Sequence, residues 1–330
     1  MELRSSDGAN LTMLRSYTTG KRVESSPTIS HGTVYVGSID GYEYALNAST
    51  GALLWRYCGG LSSPSNCSAL GNGIVSSATE WNGTVYVGGG DGYWDAINST
   101  TGELDWDVYI GNASHGFYNW ASPLLVDGYA YIGVSSQCDS PLVLAGLLKV
   151  SLSPPHASVF FQTTPNGTVG SSIWGSPAYN AATNTVFAAT GNPKGLPATP
   201  YSESMLAWNA TNLTLLGHWQ VPANQTGIDA DLGATPDLVP LANGTLLAVA
   251  TNKNGITYAL NASNLDAGPI WETQISFLIP CPASLCADQP PNVAPVTYGG
   301  GCSTRGVPTP RSEGSTTRAR SAPSIRRTEA

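Results

Sequence analysis

Residues 25–55 and 76–106 are two copies of one pattern, aligned without a gap at an offset of 51 residues. The first reads SSPTISHGTVYVGSIDGYEYALNASTGALLW and the second SSATEWNGTVYVGGGDGYWDAINSTTGELDW. An alternating strand (Val34-Tyr35-Val36, Val85-Tyr86-Val87) meets an Asp-Gly turn (Asp40-Gly41, Asp91-Gly92). A further strand, a Thr-Gly turn (Thr50-Gly51, Thr101-Gly102) and a closing tryptophan (Trp55, Trp106) follow. Alternation with a period of two buries one face of each strand, and Asp-Gly supplies the positive φ that a tight hairpin needs. One such four-stranded unit cannot bury both faces alone, so the units must stack.

Weaker copies continue the series. Ser122-Pro123, Ser176-Pro177 and Thr235-Pro236 open three more units, and Trp219 and Trp271 close the second and third of these. A sixth begins near Ala294-Pro295-Val296 and stops around Gly301. The expectation is an all-β fold: a β-propeller of four-stranded blades docked through tryptophan, with about five to six blades in this chain. Residues 1–24 read as an N-terminal segment that is truncated, 25–300 as blades, and 301–330 as a non-propeller tail, disordered or out of frame.

The charge balance supports that division. Six of the fourteen basic residues are arginines within 301–330, so the first 300 residues carry a net charge near −12. An acidic body argues against nucleic acid as partner. No run of 18 apolar residues occurs, so no transmembrane segment is expected. Twelve Asn-x-Ser/Thr sequons and six cysteines point to an exported glycoprotein, periplasmic, secreted or at the cell surface. The first residues contain no signal-peptide core, so a signal sequence is not present in this chain. Cys58 with Cys67, and Cys281 with Cys286, are spaced to close local disulfides.

The chemistry lies where the repeat is broken. In an up-and-down blade, the segment leading into strand A and the loop between strands B and C share one face of the ring. Trp174, Asp229 and Asp231 stand in segments leading into blades four and five. Asp139, Asn192 and Lys253 stand in B–C loops of blades three, four and five. Asp and Asn oxygens suit a hard cation such as calcium. A carboxylate can take a hydroxyl proton as general base. A tryptophan face can support a planar group, and a lysine can stabilise developing negative charge.

The whole pattern resembles the repeat of the quinoprotein (pyrroloquinoline quinone, PQQ) alcohol dehydrogenases, a family of eight-bladed propellers. Ile173-Trp174-Gly175 resembles the segment whose tryptophan stacks beneath the quinone in methanol-dehydrogenase-like members. Thr190-Gly191-Asn192-Pro193 is similar to the turn whose asparagine binds the metal, and Asp139 falls near the family's metal-binding glutamate. Asp229-Ala230-Asp231 resembles an Asp-x-Asp whose first member is the catalytic base, and whose second accompanies lanthanide use. Lys253-Asn254-Gly255 resembles the turn that contacts the quinone. DADLGATPDLVPL also looks like polyvinyl-alcohol-dehydrogenase-type members. The resemblance implies PQQ and calcium, or a lanthanide, as cofactors. It assigns Asp229 as base, Trp174 and Lys253 as cofactor contacts, and Asn192, Asp139, Asp229 and Asp231 as metal ligands. A small or polymeric alcohol would be the substrate, with an external electron acceptor. Three departures stand out: no adjacent Cys-Cys pair is present, Asp replaces the ligand Glu, and the later blades that complete the family's cofactor pocket are not in this chain. The alternatives are a cofactor-free propeller acting as a scaffold and an inactive fragment of the enzyme.

Overall fold

Each repeat folds into one antiparallel meander, because its turn residues close hairpins at fixed intervals. The computed structural model describes residues 12–62, 72–139, 141–164, 168–193, 195, 199–226, 229–275, 296–299 and 302–305, the last two stretches by backbone alone. Blade one is β1 (Thr28–Ser30), β2 (Thr33–Gly37), β3 (Tyr42–Asn47) and β4 (Leu53–Cys58). Blade two is β5 (Thr79–Trp81), β6 (Thr84–Gly88), β7 (Tyr93–Asn98) and β8 (Leu104–Tyr109). A short strand β9 (Phe117–Tyr118) then pairs with the long second strand of blade three. That blade is β10 (Leu124–Val126), β11 (Tyr129–Ser136), β12 (Gly146–Ser151) and β13 (Ser158–Gln162). Blade four is β14 (Ala178–Asn180), β15 (Thr185–Ala189), β16 (Ser204–Asn209) and β17 (Leu215–Gln220). Blade five is β18 (Asp237–Pro240), β19 (Leu246–Thr251), β20 (Ile256–Asn261) and β21 (Pro269–Gln274). In every blade the strands neighbour one another in chain order.

A last hairpin pairs β22 (Val296–Gly299) with β23 (Cys302–Arg305), and β22 lies beside β18 and β19. It runs across the boundary expected at residue 300. The remainder of the 301–330 tail, residues 1–11, Cys67, Cys281 and Cys286 lie outside the described residues. Among those described, no helix is long and apolar enough to cross a membrane.

The core lies in the seams between blades. Tyr35, Ala45 and Trp55 of blade one pack against Val85, Val87 and Ile97 of blade two. Tyr86, Trp94 and Ala96 meet Ala130, Ile132 and Val150, and Tyr131 and Leu147 meet Val186, Leu206 and Trp208. Phe187, Met205 and Ala207 meet Ala248, Tyr258 and Leu260. Each of the larger apolar side chains among these contributes about 1.5–3 kcal/mol by leaving water, so the seams hold the blades together. Trp55 docks as expected, with its indole N–H donating to Ser99 O at 2.9 Å in blade two. Trp106 stacks on His156 of blade three and Trp219 packs against Tyr258 of blade five. Trp271 is 40 % exposed.

A second tie runs through the Ser-Pro positions. The Ser26 N–H donates to Ser77 Oγ, Ser77 to Ser122, Ser122 to Ser176, and Ser176 to Thr235 Oγ1, all at 2.8–3.0 Å. One hydroxyl per repeat thus hands the chain from blade to blade.

The turns also account for much of the sequon excess. Asn47, Asn98, Asn112, Asn209, Asn212, Asn243 and Asn261 each accept, through the side-chain oxygen, a backbone N–H two residues on. Asn-x-Ser/Thr is here a turn-forming unit as well as a potential glycan acceptor. Cys58 is exposed and carries no disulfide, so the expected Cys58–Cys67 pairing is absent. Cys138 is instead disulfide-bonded, to a cysteine whose side chain is outside the described set.

Candidate functional site

The loops predicted to share a face do so, and they bring every proposed site residue into one linked set. Trp174 precedes β14, and Asp229 and Asp231 precede β18. Asp139 follows β11, Asn192 follows β15 and Lys253 follows β19. Asp231, only 4 % exposed, is the hub. Its Oδ1 accepts the Asn192 backbone N–H at 2.5 Å. Its Oδ2 accepts the Trp174 indole N–H at 3.2 Å and sits 2.6 Å from Lys253 Nζ. Lys253 Nζ also reaches Asp229 Oδ1 at 2.5 Å. Asn192 Nδ2 donates to Asp139 Oδ2 at 2.9 Å, which joins blade three to blades four and five.

Backbone hydrogen bonds fix these loops to one another. Ser171 N donates to Asn192 O, and Gly191 N to Ser172 O, so the Trp174 segment is pinned to the Thr-Gly-Asn-Pro turn. Lys253 N donates to Asp231 O, and the buried Asn252 amide donates to Ala230 O at 2.7 Å. Asn252 is a supporting residue that no sequence signal had marked.

Two glycines make room for the side chains. A methyl on Gly191 would lie 2.8 Å from Asp231 Oδ1. A methyl on Gly233 would lie 1.8 Å from Trp174 Cζ2 and 1.9 Å from Cε2, well inside contact distance. The indole therefore rests directly on the Gly233 backbone, with Lys253 Nζ 5.4 Å over its ring. Gly233→Ala is expected to expel Trp174, break its bond to Asp231 and cost about 1–3 kcal/mol. A chemical-denaturation midpoint unchanged from wild type would refute this packing.

The electrostatics follow from setting one buried carboxylate, Asp231, and two exposed ones, Asp139 and Asp229, around one ammonium. Burial raises the Asp139 carboxyl, and neighbouring Asp231 adds to the rise. Burial likewise raises Asp229; Lys253 opposes this and Asp231 reinforces it. Burial alone would lower Lys253, but the Asp231 and Asp229 charges outweigh it and hold the ammonium protonated above its usual range.

Glu203 is a further acid at this face. It is 2 % exposed, and its backbone N–H donates to Gly191 O at 2.9 Å. Counting back from the Ala-x-Asn that ends the C strands of blades one, two, four and five, Glu203 takes the place of Gly41, Gly92 and Gly255. Those glycines have φ near 90°, and Glu203 has φ 48°, a left-handed backbone that side chains other than glycine seldom adopt. The signal that could have found it is therefore a non-glycine at a glycine position of the repeat. Burial, helped by Asp231, raises its carboxyl from 4.5 to about 7. The folded protein then holds a proton that the unfolded chain releases. This contribution is complete below about pH 4.5 and is lost as pH rises through 7, up to about 3 kcal/mol in all. Glu203→Gln should flatten that part of the stability profile; parallel wild-type and variant profiles from pH 4.5 to 8 would rule the assignment out.

Comparison with known proteins agrees with the blades. A family profile described as outer membrane protein assembly factor BamB matches residues 5–137. The dehydrogenase subunit of an alcohol dehydrogenase (quinone) from Gluconobacter oxydans is 36% identical over 95 residues, covering 28% of this chain and 12% of that protein. The quinoprotein alcohol dehydrogenase PedH of Pseudomonas putida is 22% identical over 286 residues, covering 73% of this chain and 46% of that protein. The chain thus spans less than half the length of these relatives. A solved europium-containing methanol dehydrogenase superposes with a TM-score of 0.70 at 18% identity, covering 84% of this chain and 55% of that one. The repeat, the blades built from it and these likenesses together show a β-propeller fold, similar over its blades to the quinone-linked alcohol dehydrogenases.

Proposed function

We propose that the chain forms part of a PQQ-dependent dehydrogenase that oxidises an alcohol or sugar hydroxyl and passes the electrons to an external acceptor. The observation that carries this reading is the single hydrogen-bonded set of Trp174, Asp139, Asn192, Asp229, Asp231 and Lys253 on one face. The six residues are spread over 115 positions and three blades.

The set fits the implied groups in its chemistry. Asp139, Asn192, Asp229 and Asp231 offer oxygen donors, the type preferred by calcium and other hard cations. Among the described residues no three His, Cys, Asp or Glu side chains are gathered closely enough to hold a metal ion alone. The Asn192 side chain, hydrogen-bonded through Nδ2 to Asp139, carries the amide oxygen that this reading adds to the carboxylates as a donor. Calcium is the metal this reading names first, with a lanthanide as the alternative that the second carboxylate of Asp229-Ala230-Asp231 favours. The indole of Trp174 offers a flat apolar floor, held from below by Gly233.

The quinone, when bound, supplies the two-electron acceptor chemistry that no side chain can. Trp174 orients a planar group against its ring, and Lys253 places positive charge beside it. Asp229, 45 % exposed at its side chain and raised by burial, takes the substrate hydroxyl proton at its carboxylate. Asp231 fixes both Lys253 and Trp174. The bonded Cys138 suits an oxidising, extracytoplasmic compartment, and the PQQ-linked relatives suit a small or polymeric alcohol as substrate.

A second reading is a cofactor-free scaffold, favoured by the match to an assembly-factor profile over residues 5–137. One reconstitution separates them. The full-length protein is mixed with PQQ and calcium, or a lanthanide, and assayed for quinone absorbance and dye-linked alcohol oxidation. Binding with turnover is expected; the loss of both would leave the scaffold.

A further inference from the structure

Blade two breaks the repeat at a second place, away from the set carried by blades three to five. In blade one, Tyr44 OH donates to Asp40 Oδ2 of the Asp-Gly turn at 2.7 Å. In blade five the equivalent Asn254 side chain donates to Tyr258 OH at 3.2 Å. The matching pair in blade two is Asp91 and Asp95, so a carboxylate stands where the turn's tyrosine should be. Asp95 is 2 % exposed, and its Oδ2 has no hydrogen-bond partner. Asp107 is its direct cross-strand partner, a position where like charges repel.

The oxygens converge across the seam with blade one. A methyl on Gly89 would lie 2.8 Å from Asp91 Oδ1, 2.8 Å from Gly59 O and 3.1 Å from Asp95 Oδ2. These three oxygens, from two blades, face one α-carbon that bears no side chain. Asp91 is exposed, so the place is open to solvent. The Tyr57 hydroxyl of blade one bonds the Asp95 carboxyl, while the charged groups that act on Asp95 are both carboxylates, Asp91 and Asp107. Among the described residues no ammonium or guanidinium acts on this acid, which is buried beside two others.

We infer that Asp91, Asp95 and the Gly59 carbonyl form a site for a hard divalent cation of calcium type, which staples blade one to blade two. Asp107 adds negative field, and water completes the six to eight oxygens such an ion takes. The staple replaces the Tyr-to-Asp hydrogen bond that serves in blade one.

The test is thermal unfolding of the whole chain in EDTA and in calcium. Wild type should melt roughly 5 °C higher when calcium is about 100-fold above its dissociation constant. In an Asp231→Asn background, which disables the oxygen set of blades three to five, Asp95→Asn should lose that shift and melt in EDTA no lower than its parent. Asp91→Asn, which copies the Asn254 turn of blade five, should lose it too. Asp231→Asn should keep it, because that residue belongs to the other set. A wild-type melting point unmoved by calcium would overturn the inference. So would a shift that survives Asp95→Asn in the Asp231→Asn background, or one that disappears in Asp231→Asn alone.

Discussion

Asp231→Ala should lower the stability of the folded protein by about 3–5 kcal/mol, read from the denaturant midpoint at constant slope. The magnitude follows from what the substitution leaves behind. Lys253 Nζ, its side chain 12 % exposed, would keep only the half-exposed Asp229 as partner. The Asn192 N–H and the Trp174 indole N–H would each lose their acceptor in the same step. Most of the cost is therefore the buried positive charge, not the bonds themselves. It follows that Asp231→Ala combined with Lys253→Met should recover a good part of the loss, since the stranded ammonium is gone. A single-variant loss below about 1 kcal/mol, or no recovery in the double variant, would show that Asp231 is not the hub.

The second large effect concerns turnover and rests on the proposed dehydrogenase reading. Asp229→Asn should lower the turnover number of the reconstituted protein about 10²–10⁴-fold while leaving the Michaelis constant and the unfolding midpoint near wild type. Asparagine keeps the size of the side chain and tolerates the left-handed backbone at this position, where φ is 56°. It cannot take a proton from a hydroxyl at neutral pH. Activity within a few-fold of wild type would remove Asp229 from the base role and return attention to Asp139 and Glu203, the other acids of this face that burial raises.

Much of the fold was legible because it is written locally. Val34-Tyr35-Val36 and Val85-Tyr86-Val87 announce strands by alternation, and Asp40-Gly41 and Asp91-Gly92 announce hairpins by their backbone needs. The up-and-down order of four strands then puts Trp174, Asn192 and Lys253 on one face without any knowledge of distances. What escaped was of two kinds. Glu203 and Asp95 were visible as departures from the repeat, but one was hidden by the insertion before it, and the other stands inside strand β7, where sequence alone does not tell a buried carboxylate from an exposed one. Cys138 carries no local pairing signal, because no other cysteine lies near it in the chain.

The sequence by itself determined the blades, their turns, and the residue types waiting at the ends of B strands and before A strands. Only the tertiary structure decided that Asp139 of blade three meets Asn192 of blade four, and that Asp231 binds Asn192, Trp174 and Lys253 at once. The reason is range. Alternation and turn chemistry act between residues a few positions apart and can be read from any single repeat. Contacts between loops of different blades depend on how much each seam rotates one blade against the next, which side-chain volumes across the whole ring set together.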